Sequence, residues 1–231
     1  MIRPIAQTKF KDRREAGRLL ATKLSAFANR SDVIVLALPR GGVPVAYEIA
    51  KSLKAPLEVF VVRKLGVPYQ PELAMGAIAS GGIRVLNEDL LRYLEISPVE
   101  IEAVAAREQR ELERRERLYR GGRSMREVRD RIVILVDDGI ATGATMRSAV
   151  SALKQQQPAR IIIAVPAAAQ SSCDEYQTDA DRIECVCLIS PEPFFAVGLW
   201  YENFSQTSDD EVRDLLVSFS SNQSPGASNG E

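Results

Sequence analysis

The sequence lacks histidine entirely, since none of its 231 residues is one. This absence excludes Ser-His-Asp triads, Cys-His pairs and His-ligated zinc, and it removes the usual general base for neutral pH. Any chemistry must therefore use carboxylates, arginine and lysine, hydroxyls, backbone amides or a bound metal ion.

Cysteine is also scarce, with three residues at Cys173, Cys185 and Cys187. Three is too few for a disulfide framework and is an odd number, and Cys185 and Cys187 lie in an apolar, strand-like run. Free cysteine is among the most buried residue types. We therefore predict that these side chains are packed in the core.

The sequence has no run of about 18 apolar residues, and residues 1–11 lack the apolar stretch of a signal peptide. We expect a cytoplasmic protein with no membrane partner. An excess of one charge is absent too, because 31 acidic residues face 30 basic ones. General attraction to nucleic acid is therefore not expected, and any anion-binding site must be local.

What is present is an alternation of strand and helix signals, which favours an α/β fold with a mainly parallel central sheet flanked by helices. With 231 residues, 45% of them hydrophobic, the chain can bury the core of one large domain, predicted at 1–219. Short apolar runs suit parallel strands covered on both faces. They lie at 32–38, 57–62, 132–136, 160–165 and 183–189.

Capping-box spacings mark the starts of three helices. The pairs are Asp12 with Glu15, Ser97 with Glu100, and Ser208 with Glu211. The second helix runs to Arg120 and belongs to a predicted helical insertion at about 87–122. The third is predicted to end near Phe219, and the polar tail 220–231 is predicted to be disordered.

Two further segments carry local signals. Residues 76–86 alternate in polarity around Ser80-Gly81-Gly82 and predict a small hairpin. Arginines between 107 and 120 alternate with glutamates, which gives intrahelical ion pairs, whereas a nucleic-acid-binding helix normally carries unbalanced positive charge. We expect this helix to be a solvated face or a subunit contact, and we expect no nucleic-acid partner.

Residues 131–145, RIVILVDDGIATGAT, combine an apolar strand, two carboxylates and a Gly/Thr loop before a helix. Ligands of α/β proteins bind at the carboxyl ends of the strands, where carboxylates can accept hydrogen bonds from vicinal ribose hydroxyls. Glycines and small residues let the backbone approach a phosphate at a helix N-terminus. The predicted binding residues are Asp137, Asp138, Gly139, Ile140, Ala141, Thr142, Gly143, Ala144 and Thr145.

An ordinary Asp-Asp-Gly turn, with Thr142 capping the following helix, is the structural alternative for this segment. A Walker loop is excluded because Gly-Lys-Ser/Thr is absent. The contiguous order of strand, paired acids, glycine and T-G-x-T favours a binding site for a ribose that carries a phosphate.

Segment 136–145 resembles the signature loop of the type I phosphoribosyltransferases, and the resemblance extends over about residues 10–200. The resemblance implies the phosphoribosyltransferase-type fold, with a small C-terminal hood over the active site at about 190–206. It also implies binding of 5-phosphoribosyl 1-pyrophosphate. In the family the acidic pair holds the ribose hydroxyls and the loop holds the 5-phosphate. Asp137 and Asp138 take the first role here, and they are also the predicted ligands of a Mg²⁺ cofactor.

The resemblance suggests further site residues. Arg40, Gly41 and Gly42 follow the first strand, where the family has its pyrophosphate loop, although a tight Gly-Gly turn needs no ligand. Arg63 and Lys64 end the predicted second strand and could screen the leaving pyrophosphate, or they are a solvated pair. The following loop, 66–75, resembles the family's mobile lid.

Aromatic residues follow the last predicted strand, where the family builds its hood. Phe194, Phe195 and Trp200 could stack on the acceptor base. Aromatics near a C-terminus also serve as core or interface residues, so both interpretations stay open.

Together these features predict transfer of the phosphoribosyl group to a nitrogenous base, most simply a nucleobase, with release of pyrophosphate. A non-catalytic module that senses the donor and regulates another molecule is the alternative. A phospho-acceptor receiver domain is disfavoured because the acidic pair leads directly into T-G-A-T. Whether the protein forms a homodimer is left open by the sequence.

Overall fold

A computed structural model describes residues 9–176 and 182–223. The strands are β1 (Val33–Ala37), β2 (Leu57–Val59), β3 (Val62–Val67), β4 (Gln70–Ala79), β5 (Ile83–Leu86), β6 (Ile132–Val136), β7 (Arg160–Ala167) and β8 (Ile183–Ile189). The helices are α1 (Arg13–Lys23), α2 (Gly42–Leu53), α3 (Glu88–Tyr93), α4 (Pro98–Arg120), α5 (Ala144–Gln155), α6 (Gln170–Asp174) and α7 (Asp209–Gln223).

A parallel sheet in the order β2-β1-β6-β7-β8 forms the centre of the fold. β1, β6 and β7 are almost wholly buried because their apolar runs are covered on both faces, as expected for parallel strands. The edge strand β8 is only half-buried beyond Ile183. The predicted α/β class with a central parallel sheet is thereby confirmed. β1 and β6 are adjacent, so the turn after β1 and the acidic pair after β6 leave the sheet at the same edge.

A second, antiparallel sheet in the order β3-β4-β5 corrects part of the sequence prediction. The predicted strand 57–62 stops at Val59, and a new strand begins at Val62. The predicted loop 66–75 instead belongs to the β3–β4 hairpin, which has register shifts around Gly66. A Cβ at Gly66 would lie 2.5 Å from the carbonyl oxygen of Pro71, so this glycine permits a close strand approach.

The helices begin where their caps predict. The side chain of Asp12 accepts from the amide of Glu15, and that of Ser208 accepts from the amide of Glu211. The insertion helix α4 starts with a complete capping box at Ser97 and ends at Gly121, whose φ of 59° lies in the left-handed region. α4 packs against β3 and against α7.

The last helix extends beyond its predicted end. α7 includes residues 220–223, which were predicted to start a disordered tail. Phe219 is buried and its ring contacts that of Tyr47, and Ser220 Oγ donates to the carbonyl of Leu216 inside the helix. Residues 224–231 lie outside the described residues.

The cysteines pack in or against the core, as predicted, but the expectation of free thiols is wrong for two of them. Cys173 of α6 and Cys185 of β8 form a disulfide, whereas Cys187 is free. The fold lays α6 beside strand β8, so the two Cα atoms are 5.6 Å apart, within the usual span of such a bond. Neighbouring residues on a strand alternate faces, so Cys187 shares its face with Cys185.

Within residues 9–176 and 182–223, no helix is both long enough and apolar enough to cross a membrane.

Candidate active site

The acidic pair and the turn after β1 are in direct contact. The amide of Leu38 donates to the carbonyl of Val136 at 2.9 Å, which extends the β1–β6 pairing to the ends of both strands. A Cβ at Gly41 would lie 2.0 Å from Oδ2 of Asp138, and one at Gly42 would lie 2.6 Å from the carbonyl oxygen of Val136. A side chain at Gly41 would therefore displace the carboxylate of Asp138, and one at Gly42 would meet backbone atoms. The Pro39–Arg40 peptide bond in this turn is cis.

Asp137 and Asp138 carry perturbed carboxyl groups. Burial and the adjacent Asp138 charge raise the pKa of Asp137 well above its ordinary value. The backbone amide of Asp138 donates to Oδ1 of Asp137 at 2.8 Å. Burial also raises the pKa of Asp138, and the cation of Arg13 opposes that rise. Perturbed carboxyls of this kind are typical of functional sites.

Arg13 is a site residue that the sequence analysis did not find. Its Nε donates to Oδ2 of Asp138 at 2.8 Å, and its Nη1 donates to the carbonyl of Ser205 at 2.7 Å. Its guanidinium carbon lies 4.0 Å from the ring centroid of Phe204. One signal was available, because a cation in the first turn of a helix opposes the helix dipole and needs a partner.

Tyr201 joins the hood to the acidic pair. Its hydroxyl donates to the backbone carbonyl of Asp138 at 2.7 Å, and its ring contacts those of Phe10 and Phe204. Burial and the Asp138 charge raise the pKa of Tyr201, so the hydroxyl stays a donor at physiological pH. The position of Asp138 is thus fixed through its backbone as well as through its side chain.

The loop after the acidic pair separates into an anchor and an exposed rim. Ile140 is buried; its amide donates to Ala167 at 2.8 Å and its carbonyl accepts from Ala169 at 3.1 Å. Ile140 therefore anchors the loop, and its amide is not available to a phosphate. The exposed members of the predicted set are Ala141, Thr142, Ala144 and Thr145.

Gly143 gives this loop its shape. Its φ is 73°, a conformation that glycine adopts without strain, and it caps α5 with no side-chain hydrogen bond. The predicted alternative, in which Thr142 caps the helix, is therefore not observed. The first turn of α5 presents amides that have no intrahelical acceptor, next to the exposed hydroxyls of Thr142 and Thr145.

The short helix α6 supports the loop from behind. Ser172 Oγ donates to the carbonyl of Ala141 at 3.0 Å, and Arg147 of α5 pairs with Glu175 just after α6 at 3.0 Å. The Cys173–Cys185 disulfide ties this supporting helix to β8. Elements that follow it in sequence thus fix the loop 139–145, which is the predicted phosphate-side loop.

Arg63 and Lys64 lie within β3, not at the end of a strand that leads into a loop. Consecutive strand residues point to opposite faces, and their partners differ accordingly. Arg63 donates from Nε and Nη2 to Oε2 of Glu108 in α4, at 2.9 and 2.6 Å. Lys64 Nζ lies 3.3 Å from Oε2 of Glu72 in β4.

Arg40 lies beside a carboxylate of the last helix. Its Nη1 is 3.9 Å from Oδ1 of Asp209, and the hydroxyl of Tyr119 in α4 donates to the same oxygen at 2.6 Å. The guanidinium is about one-third exposed, so it remains accessible to a ligand at the 39–42 turn.

The aromatic residues of the hood have two environments. Phe194 and Trp200 stack on each other, with ring centroids 6.5 Å apart, whereas Phe195 is 76% exposed. Val197 packs over Gly139, where a Cβ would lie 2.5 Å from its Cγ1. The hood therefore rests on the start of the phosphate-side loop, and Phe195 is the predicted base-contacting residue with the most free surface.

The acidic pair alone does not form a metal cage. In the part of the chain that the structure describes, no group of three or more acidic or cysteine side chains is arranged to hold a metal ion. Mg²⁺ commonly binds one or two carboxylates together with substrate phosphates and waters. The two carboxylates therefore fit a Mg²⁺ ion that is shared with a bound phosphate ester.

Comparison with known proteins identifies the family. The model of the phosphoribosyl transferase domain matches residues 7–202. Two Mycobacterium tuberculosis proteins, from strains CDC 1551 and H37Rv and each named "Putative phosphoribosyl transferase", are 49% identical to this chain over 207 residues. The match covers 90% of this chain and 46% of each relative, so the chain spans about half the length of the curated relatives it matches.

One solved structure has closely similar architecture. TT1426 from Thermus thermophilus is 40% identical, with a TM-score of 0.81, and the match covers 92% of this chain and 99% of TT1426.

Proposed function

Because this chain belongs to the phosphoribosyltransferase family, we propose that it transfers the phosphoribosyl group of 5-phosphoribosyl 1-pyrophosphate to a nitrogenous base, most simply a nucleobase. The C1–O bond to pyrophosphate breaks, a C1–N bond forms, and pyrophosphate leaves. The observation that carries this proposal is the contact of Gly41 with Asp138, which brings the predicted pyrophosphate turn against the predicted ribose site.

The two ends of the donor have separate binding groups in this proposal. Asp137 and Asp138 accept hydrogen bonds from the ribose hydroxyls, and the amides and hydroxyls of 141–145 bind the 5-phosphate. These contacts hold the sugar while its anomeric carbon gains oxocarbenium character. The buried position of the pair strengthens each hydrogen bond, since the local dielectric is lower than that of water.

Departure of pyrophosphate requires positive charge. Arg40 lies on the 39–42 turn and Arg63 is on β3; both supply charge-assisted hydrogen bonds to phosphate oxygens. Mg²⁺, when bound with the donor, would neutralise further charge, with Asp137 and Asp138 as its protein ligands. Since the chain has no histidine, the acceptor's proton goes to a carboxylate such as Asp138 or to the substrate itself.

The acceptor base belongs under the hood. Phe195 offers an exposed ring for stacking, and Phe194 and Trp200 stack on each other. Stacking accepts any aromatic base, so this surface supports a base as the class of acceptor without selecting one.

The deciding experiment measures pyrophosphate release from the donor with Mg²⁺ over a panel of purine and pyrimidine bases, with calorimetric titration of the donor in parallel. Base-dependent release supports the transferase and identifies its acceptor. Donor binding without release under every base supports a sensor of the donor instead. Absence of donor binding contradicts both functions.

A double variant tests whether the acidic pair is the donor site. Asp137→Asn with Asp138→Asn should abolish donor binding while the protein stays folded, because the carboxylates serve the ligand. Gly143→Val should weaken binding of ribose 5-phosphate, since a side chain at φ 73° is strained and would distort the loop. Unchanged affinity in both variants would place the donor elsewhere.

A further inference from the structure

The insertion helix α4 reaches the candidate pyrophosphate cations with one of its faces. Glu108, Leu112 and Tyr119 are buried on this face, at spacings of four and seven residues. Glu108 contacts Arg63 of β3, and Tyr119 contacts Asp209, which lies beside Arg40. Both cations proposed to bind the leaving group are therefore connected to the same helix.

The contact of Glu108 with Arg63 is directional. Oε2 of Glu108 takes both Nε and Nη2 of the guanidinium, which fixes the plane of the group. Among the described residues, the remaining nitrogen, Nη1, has no hydrogen-bond partner, and the Arg63 side chain is 29% exposed. The free edge of the fork is thus accessible to solvent while the other edge is held.

Glu108 itself is unusual on this helix. It is buried, whereas the other glutamates of α4 are at least partly exposed. Burial opposes ionisation, but hydrogen bonds from Arg63 and Arg107 hold the pKa of Glu108 below its ordinary value. The residue is therefore a fixed anion beside Arg63 at neutral pH.

The place of Arg63 makes this arrangement useful for catalysis. β3 begins three residues after β2 ends, so Arg63 follows the carboxyl edge of the central sheet, where the acidic pair also lies. A guanidinium that is held on one edge loses less side-chain entropy when its other edge binds a phosphate. A free arginine on a strand would have to be ordered at each binding event.

We propose that Glu108 is a positioning residue that holds Arg63 for the pyrophosphate end of the donor, so that the insertion helix α4 is a working part of the donor site. This inference rests on the proposed function, and it gives the insertion a role in recognition of the donor's pyrophosphate group.

The experiment compares three ligands by calorimetry: 5-phosphoribosyl 1-pyrophosphate, pyrophosphate and ribose 5-phosphate. Glu108→Ala should weaken binding of 5-phosphoribosyl 1-pyrophosphate and of pyrophosphate by about tenfold, which corresponds to one charge-assisted hydrogen bond. Ribose 5-phosphate lacks the pyrophosphate group and so does not depend on Arg63. Its binding affinity should therefore change less than about twofold. Glu108→Gln keeps an acceptor oxygen and should restore part of the affinity.

A matched control lies one turn further along the helix. Glu111 pairs with Arg114 and Arg115 on α4 and not with Arg63, so Glu111→Ala removes a comparable ion pair without touching the proposed site. Its affinities should equal those of the wild type. In the Arg63→Ala background, Glu108→Ala should have no further effect, because Glu108 acts through Arg63.

The possible outcomes distinguish failure of the positioning role of Glu108 from failure of the proposed function. Unchanged pyrophosphate affinity in Glu108→Ala, equal weakening of the binding of all three ligands, or tighter binding of pyrophosphate overturns the positioning role. If Glu108→Ala does not fold, Glu108→Gln tests the same contact without the charge, and unchanged pyrophosphate affinity in it overturns the positioning role. Failure of the wild type to bind the donor overturns the proposed function itself, whatever the variants do.

Discussion

Arg13 donates from Nε to Oδ2 of Asp138 at 2.8 Å, across a sequence separation of 125 residues. The two side chains are 11% and 16% exposed, so the ion pair is largely protected from solvent. α1 thereby fixes one carboxylate of the acidic pair, and the carbonyl of Ser205 and the ring of Phe204 hold the guanidinium in place. Truncation of one partner of a protected ion pair lowers stability more than loss of a surface pair does, because the remaining charge is left buried without its partner.

Replacement of Arg13 should therefore impair donor binding. Arg13→Met removes the cation that opposes the rise in the pKa of Asp138, so Asp138 should protonate at higher pH than in the wild type. Donor affinity should fall by about tenfold or more at pH 6 and by less at pH 8, because a protonated carboxyl accepts ribose hydroxyls poorly. Titration calorimetry at pH 6 and pH 8 measures the ratio of the donor affinities of variant and wild type. The donor's own ionisation affects both proteins equally and cancels in this ratio.

The neighbouring arginine is the control for this prediction. Arg14 lies 3.5 Å from Glu48 and packs over Tyr47, away from the acidic pair. Arg14→Met should leave donor affinity and its pH dependence unchanged. A loss of the same size in both variants, or a loss in Arg13→Met that does not depend on pH, would contradict the assigned role of Arg13.

The segment 132–145 could be predicted from sequence because its signals are local. Strand, acidic pair, loop and helix follow one another without interruption, and β1 leads into the Gly41–Gly42 turn in the same way. Parallel pairing of adjacent strands then brings both turns to one edge of the sheet, which is a general property of the fold class. The most local part of the site is thus the part that was predicted best.

Other contacts have no local signal. Glu108 was interpreted as one of several charges on a solvated helix, and nothing in its neighbours distinguishes it from Glu111. The bond between Cys173 and Cys185 depends on how α6 lies against β8. The hairpin of β3 and β4 was interpreted as a loop because glycine and proline, which usually interrupt strands, here serve a bulged pairing around Gly66.

The raised pKa of Asp137 predicts that its charge destabilises the folded protein. A carboxyl whose pKa is higher in the folded state favours folding below its unfolded-state pKa, and this contribution is lost as pH rises through the folded-state pKa. Asp137→Asn should therefore raise the free energy of unfolding at pH 8, and the gain should shrink as the pH falls toward the unfolded-state pKa of aspartate. Thermal unfolding without metal over this pH range measures it.

Asp138→Asn is the informative counterpart. Burial raises the pKa of Asp138 as well, but the cation of Arg13 opposes that rise, so removal of this charge should stabilise the folded protein less at pH 8. A smaller gain from Asp138→Asn than from Asp137→Asn is expected. Destabilisation by Asp137→Asn would show that its hydrogen bond with the Asp138 amide outweighs the burial of its charge.

The glycines of the 39–42 turn should differ in their response to alanine. At Gly41 the new methyl meets the carboxylate of Asp138, a side chain, so Gly41→Ala should displace that group and weaken donor binding while the fold survives. At Gly42 the methyl meets the carbonyl of Val136 and the Cα of Asp137, which are backbone atoms. Gly42→Ala should therefore lower thermal stability, by about 1–3 kcal/mol. Circular dichroism melts and donor titrations distinguish the two, and equal melting temperatures would contradict the difference.

The disulfide predicts a countable number of thiols. Protein unfolded without reductant should react with a thiol reagent at one cysteine, Cys187, and at three cysteines after reduction. Reduction should lower the free energy of unfolding by about 3 kcal/mol, because the closed loop restricts the unfolded chain. It should also weaken binding of ribose 5-phosphate, since the tether holds α6, whose Ser172 supports the carbonyl of Ala141. Cys187→Ser should leave stability and binding unchanged, whereas three reactive thiols before reduction would show that Cys173 and Cys185 are not bonded.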